Sequence, residues 1–115
     1  MVRLREKGLL LYIIDNCVKI EETTKNMTKE SFCENDMAQS ATSLDVIKIY
    51  EYGKKLPLKF LRIHNQKMPW SRLKKLRKEI EKDFFKVKYE VMWEILVEDV
   101  PKLHQYCANL IDNNQ

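Results

Sequence analysis

The chain has 115 residues, 44% hydrophobic and 33% charged, with a formal net charge of +4. That length holds one hydrophobic core, so a single domain over residues 1–115 is expected; the composition excludes a disordered chain, and no apolar run approaches the roughly 20 residues that cross a bilayer. So small a charge surplus does not decide for or against nucleic acid, because uneven placement can still build a basic face.

Within LREKGLLLYIIDNCVKIEETTKN, Leu10, Ile13, Ile14, Cys17 and Thr24 recur at three- and four-residue spacing and predict a first amphipathic helix. Basic residues precede GLLLYII, but the apolar run is short and Asp15 follows it, so the segment reads as a core helix and not as a leader. NMTKESFCEN is polar with one aromatic, Phe32, and reads as a turn of helix or a loop that plugs a ring into the core. Its Asn-x-Thr at Asn26 has the form of a glycosylation acceptor and, with no secretory leader, is read as chance.

Asp36 followed by Gln39 has the spacing of a capping box and predicts the start of a second long helix. Two apolar stripes run along it, one through Met37, Ala41, Leu44 and Ile47, the other through Val46, Ile49, Tyr50, Gly53 and Leu56. It is therefore expected to touch neighbours on two sides, one of them in a second subunit. Pro57 ends it, since proline lacks an amide donor and disfavours helical geometry in the residue before it.

LKFLRIHNQKM reads as a short helical or irregular connection, and Pro69 suits the first position of a helix carrying Trp70, Leu73, Leu76, Ile80 and Phe84. After an interruption at FKVK, the strongest periodicity in the chain joins Tyr89, Met92, Trp93, Leu96, Val100, Leu103, Cys107 and Leu110, with a kink or restart expected near Asp99 because of Pro101. No strand-like alternation competes. The fold class is all-α, an antiparallel bundle of four to five helices.

The two glycines, Gly8 and Gly53, make no phosphate-cradling loop, which removes P-loop and dinucleotide-binding enzymes. Three scattered cysteines, Cys17, Cys33 and Cys107, without a C-x-x-C pair, argue against disulfide frameworks and structural zinc and point to a reducing cytoplasm. Arg77 is the anomaly, a cation among Leu73, Leu76, Ile80 and Phe84. Two explanations are open: a stem lying along the core edge, its head in water or on an internal carboxylate, or a guanidinium held towards a cleft to bind phosphate oxygens.

Four stretches in order, NDMAQSA, YEYGKKLP, MPWSRLKKLRKEIEKDFF and VMWEILVEDVPKL, resemble successive landmarks of the HepT-like HEPN family of prokaryotic toxins, from about Leu10 to Leu110. The resemblance implies a dimeric helical bundle with two R-x-x-x-x-H-x-Y motifs facing a shared cleft. It also implies metal-independent endoribonuclease activity, no cofactor, and a partner antitoxin of the minimal nucleotidyltransferase type. Carried over, the motif falls on RKEIEKDF: Arg77 matches the arginine, Lys82 stands at the histidine position and Phe84 at the tyrosine position. Lys78 replaces a polar residue, often asparagine, that follows the arginine in the family. Glu51 matches a family glutamate, though Tyr50 and Tyr52 stand where small residues usually flank it.

Metal-free RNA cleavage needs one group to take the 2′-hydroxyl proton and another to protonate the leaving oxygen, roles that suit histidine. Lysine titrates near about 10.4, so Lys82 is a charged donor and not a base unless its surroundings lower that by about three units. Phe84 has no hydroxyl. In the family, the tyrosine is where some antitoxins attach AMP, and that control is expected to be lost here. Residues five apart on a helix point roughly 140° from each other, so Arg77 and Lys82 can converge only if the helix ends near Lys82 or two subunits contribute crosswise. The surrounding basic residues, with Arg72, Lys74, Lys75 and Lys78 as candidate RNA contacts, form either a rim for a phosphate backbone or an ordinary solvated face.

Other candidates are weaker. His104 and Cys107 are too few for a metal site, and no metal is expected. His64 could stand in for the motif histidine if the fold brought it near Arg77, while Trp70 and Trp93 read as core anchors before base-stacking platforms. Three functions are compatible with the residues: an RNA- or partner-binding protein whose nuclease motif has decayed, a working endoribonuclease toxin, and a structural interaction protein.

Overall fold

The computed structural model describes residues 2–113, all of whose regular structure is helical. In order these are α1 (Leu4–Thr24), α2 (Lys29–Cys33), α3 (Asp36–Lys54), α4 (Leu58–His64), α5 (Ser71–Lys82) and α6 (Tyr89–Asp112), with a 3-10 turn at Phe84–Lys86. The two shortest, α2 and α4, lie in the segments whose sequence reads as turn or connection.

α1 packs between α3 and α6. Leu10, Ile13, Cys17 and Ile20 on α1 and Met92, Val100, Leu103 and Cys107 on α6 are fully buried, each large apolar side chain contributing about 1.5–3 kcal/mol. The neighbours run antiparallel. Tyr12 in the middle of α1 stacks on Tyr52 near the end of α3, and Thr24 at the end of α1 borders one surface hollow with Trp93 near the start of α6, while Cys17 further back on α1 lies beside Cys107 further along α6. Phe32 of α2 is fully buried and lies 5.5 Å from the Trp93 ring, the plug expected of that segment.

The α3 cap differs from the expected capping box. Asn35 is the N-cap, its side chain accepting from the Ala38 amide, and Asp36 is the first helical residue. Gln39 instead donates to the Phe32 and Cys33 carbonyls, closing the end of α2. Likewise α5 begins at Ser71, one residue after Trp70, so Pro69 lies outside the helix. Pro101 does not restart the last helix, since α6 runs through it unbroken with the ring on the exposed side.

The molecule measures 43 × 29 × 19 Å, and its thin dimension is about two helix diameters. In so thin a body each long helix keeps an outward face. On α3 that face carries Met37, 84% exposed, and Leu44, 59% exposed. Glu51 follows after a further seven residues, on the same line to within about 20° per heptad. Of the two apolar stripes expected on α3, the one through Met37 and Leu44 thus turns outward at those residues, with Ile47 packed partly on the core, while Val46, Ile49 and Gly53 of the other are buried. No helix among the described residues is long and apolar enough to cross a membrane.

Candidate functional site

α5 lies antiparallel against the second half of α3, and their closest approach is made by Gly53 and Trp70. A Cβ at Gly53 would stand 2.7 Å from the Trp70 ring, so only glycine admits the indole here. The indole N–H donates to the backbone and side-chain oxygens of Asn65, which fixes the start of α5. Leu73, Leu76 and Ile80 then face the core.

That register puts Arg77 on the margin of the α3–α5 seam, with its side chain only 17% exposed. One terminal nitrogen pairs with Glu81 a turn later on α5, and the other lies 3.6 Å from Glu51 of α3. The guanidinium carbon sits 4.3 Å from the Tyr50 ring centroid, a cation–π contact. Its Nε is sealed from solvent with no hydrogen-bond partner. The sequence does not single out Glu81, although its spacing from Arg77 is that of a helical ion pair, and Tyr50 stands in it as one member of an apolar stripe and a departure from the family pattern.

Beside this cluster a cavity of about 300 Å³ opens between α3, α4 and α5. Ile49, Leu61 and Leu73 wall it and Trp70 and Tyr50 border it, so Tyr50 belongs to both the cavity and the Arg77 cluster. Three lysines line it: Lys54, Lys74 and Lys78. Lys54 lies 3.7 Å from Glu51. Lys74 has only neutral partners, the Asn65 Oδ1 at 2.7 Å and the Trp70 ring at 4.3 Å, and burial lowers its pKa. Lys78 is exposed and forms no ion pair.

The remaining candidates go elsewhere. Arg72 is drawn away from the expected basic rim: its Nε and one terminal nitrogen both donate at 2.8 Å to Asp99 of α6, and those bonds raise its pKa. It leaves α5 about 140° from Arg77. Lys75 is exposed and is not among the cavity residues. Lys82 is the exposed last residue of α5 and so still leaves the helix about 140° from Arg77. Phe84 falls in the 3-10 turn, half-buried against the core, its ring 6.1 Å from Tyr89, whose hydroxyl donates to the Phe84 carbonyl.

His64 is not brought to Arg77. Its Nδ1 is 3.1 Å from the Tyr106 hydroxyl and its ring 4.4 Å from Phe60. His104 bonds Glu21 at 2.7 Å, and Cys107 is buried, its thiol pushed up to about 12 by burial. No group of three or more potential metal ligands occurs among the described residues.

Chemically, the cluster holds a planar guanidinium at the helix seam with each terminal nitrogen beside a carboxylate. An incoming phosphate would compete with Glu51 and Glu81 for the fork, with three lysines adding to the local field. Neither histidine lies in it, so it lacks a group that titrates near neutrality by nature.

The family model described as "Ribonuclease HepT-like" matches residues 13–110. A Methanocaldococcus jannaschii protein named "Putative RNase MJ0127" is 30% identical over 83% of this chain and 78% of its own length. A Thermococcus cleftensis protein named "Probable ribonuclease HepT" is 31% identical over 73% of this chain and 76% of its own. A second M. jannaschii protein, "Gamma-glutamylcyclotransferase and putative RNase MJ0434", is 28% identical over 92% of this chain, which spans 47% of that relative. No solved structure matches the chain. With the match running through every long helix and across the Arg77 cluster, the chain belongs to the HepT-like ribonuclease family.

Proposed function

We propose that the chain is a toxin-type member of that family which holds RNA at Arg77 and cleaves it weakly or not at all. The observation that carries the reading is the Arg77 cluster itself. A guanidinium is stacked on Tyr50 and braced by Glu51 and Glu81 beside three lysines, while the positions of the motif histidine and tyrosine hold Lys82 and Phe84. Binding of phosphate needs the first set, whereas proton transfer needs a group the second set does not supply.

The assembly we propose is a homodimer in the cytoplasm, where three free thiols are stable, neutralised by an antitoxin of the minimal nucleotidyltransferase type. The unpartnered Met37 and Leu44 line on α3 supports the dimer, since it leads along one helix face to Glu51 and would set two Arg77 clusters near each other. The test is RNA binding and cleavage by the purified chain. Binding that weakens steeply with salt, with little product and with loss on Arg77→Ala, is the expected result. Robust cleavage abolished by Arg77→Ala would establish a working endoribonuclease, and absence of any RNA binding would leave a structural interaction protein.

A further inference from the structure

Resting on the reading of Arg77 as a phosphate contact, we propose that the cavity between α3, α4 and α5 takes one unstacked base of a single RNA strand whose phosphate lies on Arg77. The volume of about 300 Å³ is at the lower end of small-ligand pockets, roughly 300–1,000 Å³, and suits a flat ring with part of its sugar. Ile49, Leu61 and Leu73 give it apolar walls against which a flat ring can lie.

The mouth has the opposite character. No carboxylate lines the cavity, and three lysines do. Lys74 is already partly desolvated against Asn65 and Trp70 and is offset by no anion, an arrangement completed by a ligand that brings negative charge next to an apolar body. Asn65 adds direction. Lys74 and the Trp70 indole both donate to its Oδ1, which orients the amide and leaves its two N–H donors for the acceptor edge of a base.

Tyr50 ties the pocket to the strand, because it borders the cavity and carries the Arg77 guanidinium at 4.3 Å. A ring in the cavity and a phosphate on Arg77 are thus separated by one side chain, the spacing that a single nucleotide residue provides and that a free apolar molecule does not. The cavity then sets base preference, and Arg77 and the lysines set affinity irrespective of sequence.

The experiment measures fluorescence anisotropy of the purified full chain with a labelled oligouridylate, an oligoadenylate and an abasic ribose-phosphate strand of equal length, each at low and moderate salt. The expected result is that one of the intact strands binds about tenfold or more tightly than the abasic strand, with the same salt slope. Leu61→Trp, which fills the cavity, should bring that strand down to the abasic level; Ile49→Phe replaces it if circular dichroism shows the first variant unfolded. Equal affinity for intact and abasic strands would overturn the pocket while leaving the Arg77 reading intact. A preference that survives filling of the cavity, or a free mononucleotide that saturates the protein without displacing the strand, would also overturn it. Failure of every strand to bind would remove both proposals together.

Discussion

Arg72 and Arg77 leave the same helix five residues apart and each meets two carboxylates, but they use their donors differently. Arg72 is 45% exposed and sets a fork of two 2.8 Å bonds on Asp99, with Glu98 at 3.4 Å. Arg77 is 17% exposed, divides its terminal nitrogens between carboxylates on two helices, lies against Tyr50 and keeps its Nε sealed and unpartnered. The first is a joint between α5 and α6, of modest value because water and salt screen it. The second leaves a buried donor unsatisfied, which costs free energy and is maintained by the packing around it.

The largest effect that would sharpen this contrast comes from placing histidine and tyrosine at positions 82 and 84. Lys82→His with Phe84→Tyr should raise RNA cleavage by about 10²-fold or more, the contribution of a positioned acid–base group, measured as product per enzyme on labelled RNA. The gain should vanish with Arg77→Ala and survive Arg72→Ala. If both arginines abolished it, the distinction between them would be broken.

Next in size, Arg77→Ala in the unmodified chain should weaken RNA binding by about tenfold, the worth of one charge-assisted hydrogen-bond set, whereas Arg72→Ala should change it by less than about twofold. Anisotropy titrations at fixed salt decide this, and thermal melts run alongside separate binding from folding.

The α3–α5 seam that presents Arg77 can be broken through glycine. Gly53→Ala drives a methyl into the Trp70 ring and should destabilise the chain by about 1–3 kcal/mol, in the range of an overpacked core, as read by denaturant unfolding. Gly8 of α1 has nothing within 4 Å of an added Cβ, so Gly8→Ala should stabilise by about 0.5–1 kcal/mol through helix propensity.

The smallest effect is in pH. Burial, with Lys67 nearby, lowers the His64 pKa below its ordinary 6.5, so the folded protein takes up this proton less readily than the unfolded chain. The stability linked to His64 is complete above 6.5 and is lost as pH falls through 6.5 towards the lower folded value. His64→Phe should flatten that part of the stability curve, and an unchanged slope would show that the titration of His64 does not govern it.

Much of the fold was legible because it depends on local periodicity. The stripe from Tyr89 to Leu110, the inward face of α1 and the Phe32 plug all follow from apolar spacing at the helical repeat. The ends were less legible. Asp36 and Gln39 have the spacing of a capping box, but Asn35 caps α3, since the amide of Gln39 is claimed by two carbonyls at the end of α2. Pro101 reads as a kink or restart, but it falls on the outward side of α6, and the helix continues through it without restarting.

For the site, the residues by themselves determined that Arg77 is out of place on an apolar helix side, and the resemblance put Lys82 and Phe84 at the motif positions and matched Glu51 to a family glutamate, whose place beside Arg77 came from the fold. Only the tertiary structure decided that Arg72 turns away to Asp99, that His64 is held by Tyr106, and that Lys54, Lys74 and Lys78 surround one cavity next to Tyr50. The reason is range. Helical spacing is set within a turn or two of chain, whereas these contacts join residues separated in sequence, and their geometry exists only after Trp70 has seated against Gly53 and fixed α5 across α3.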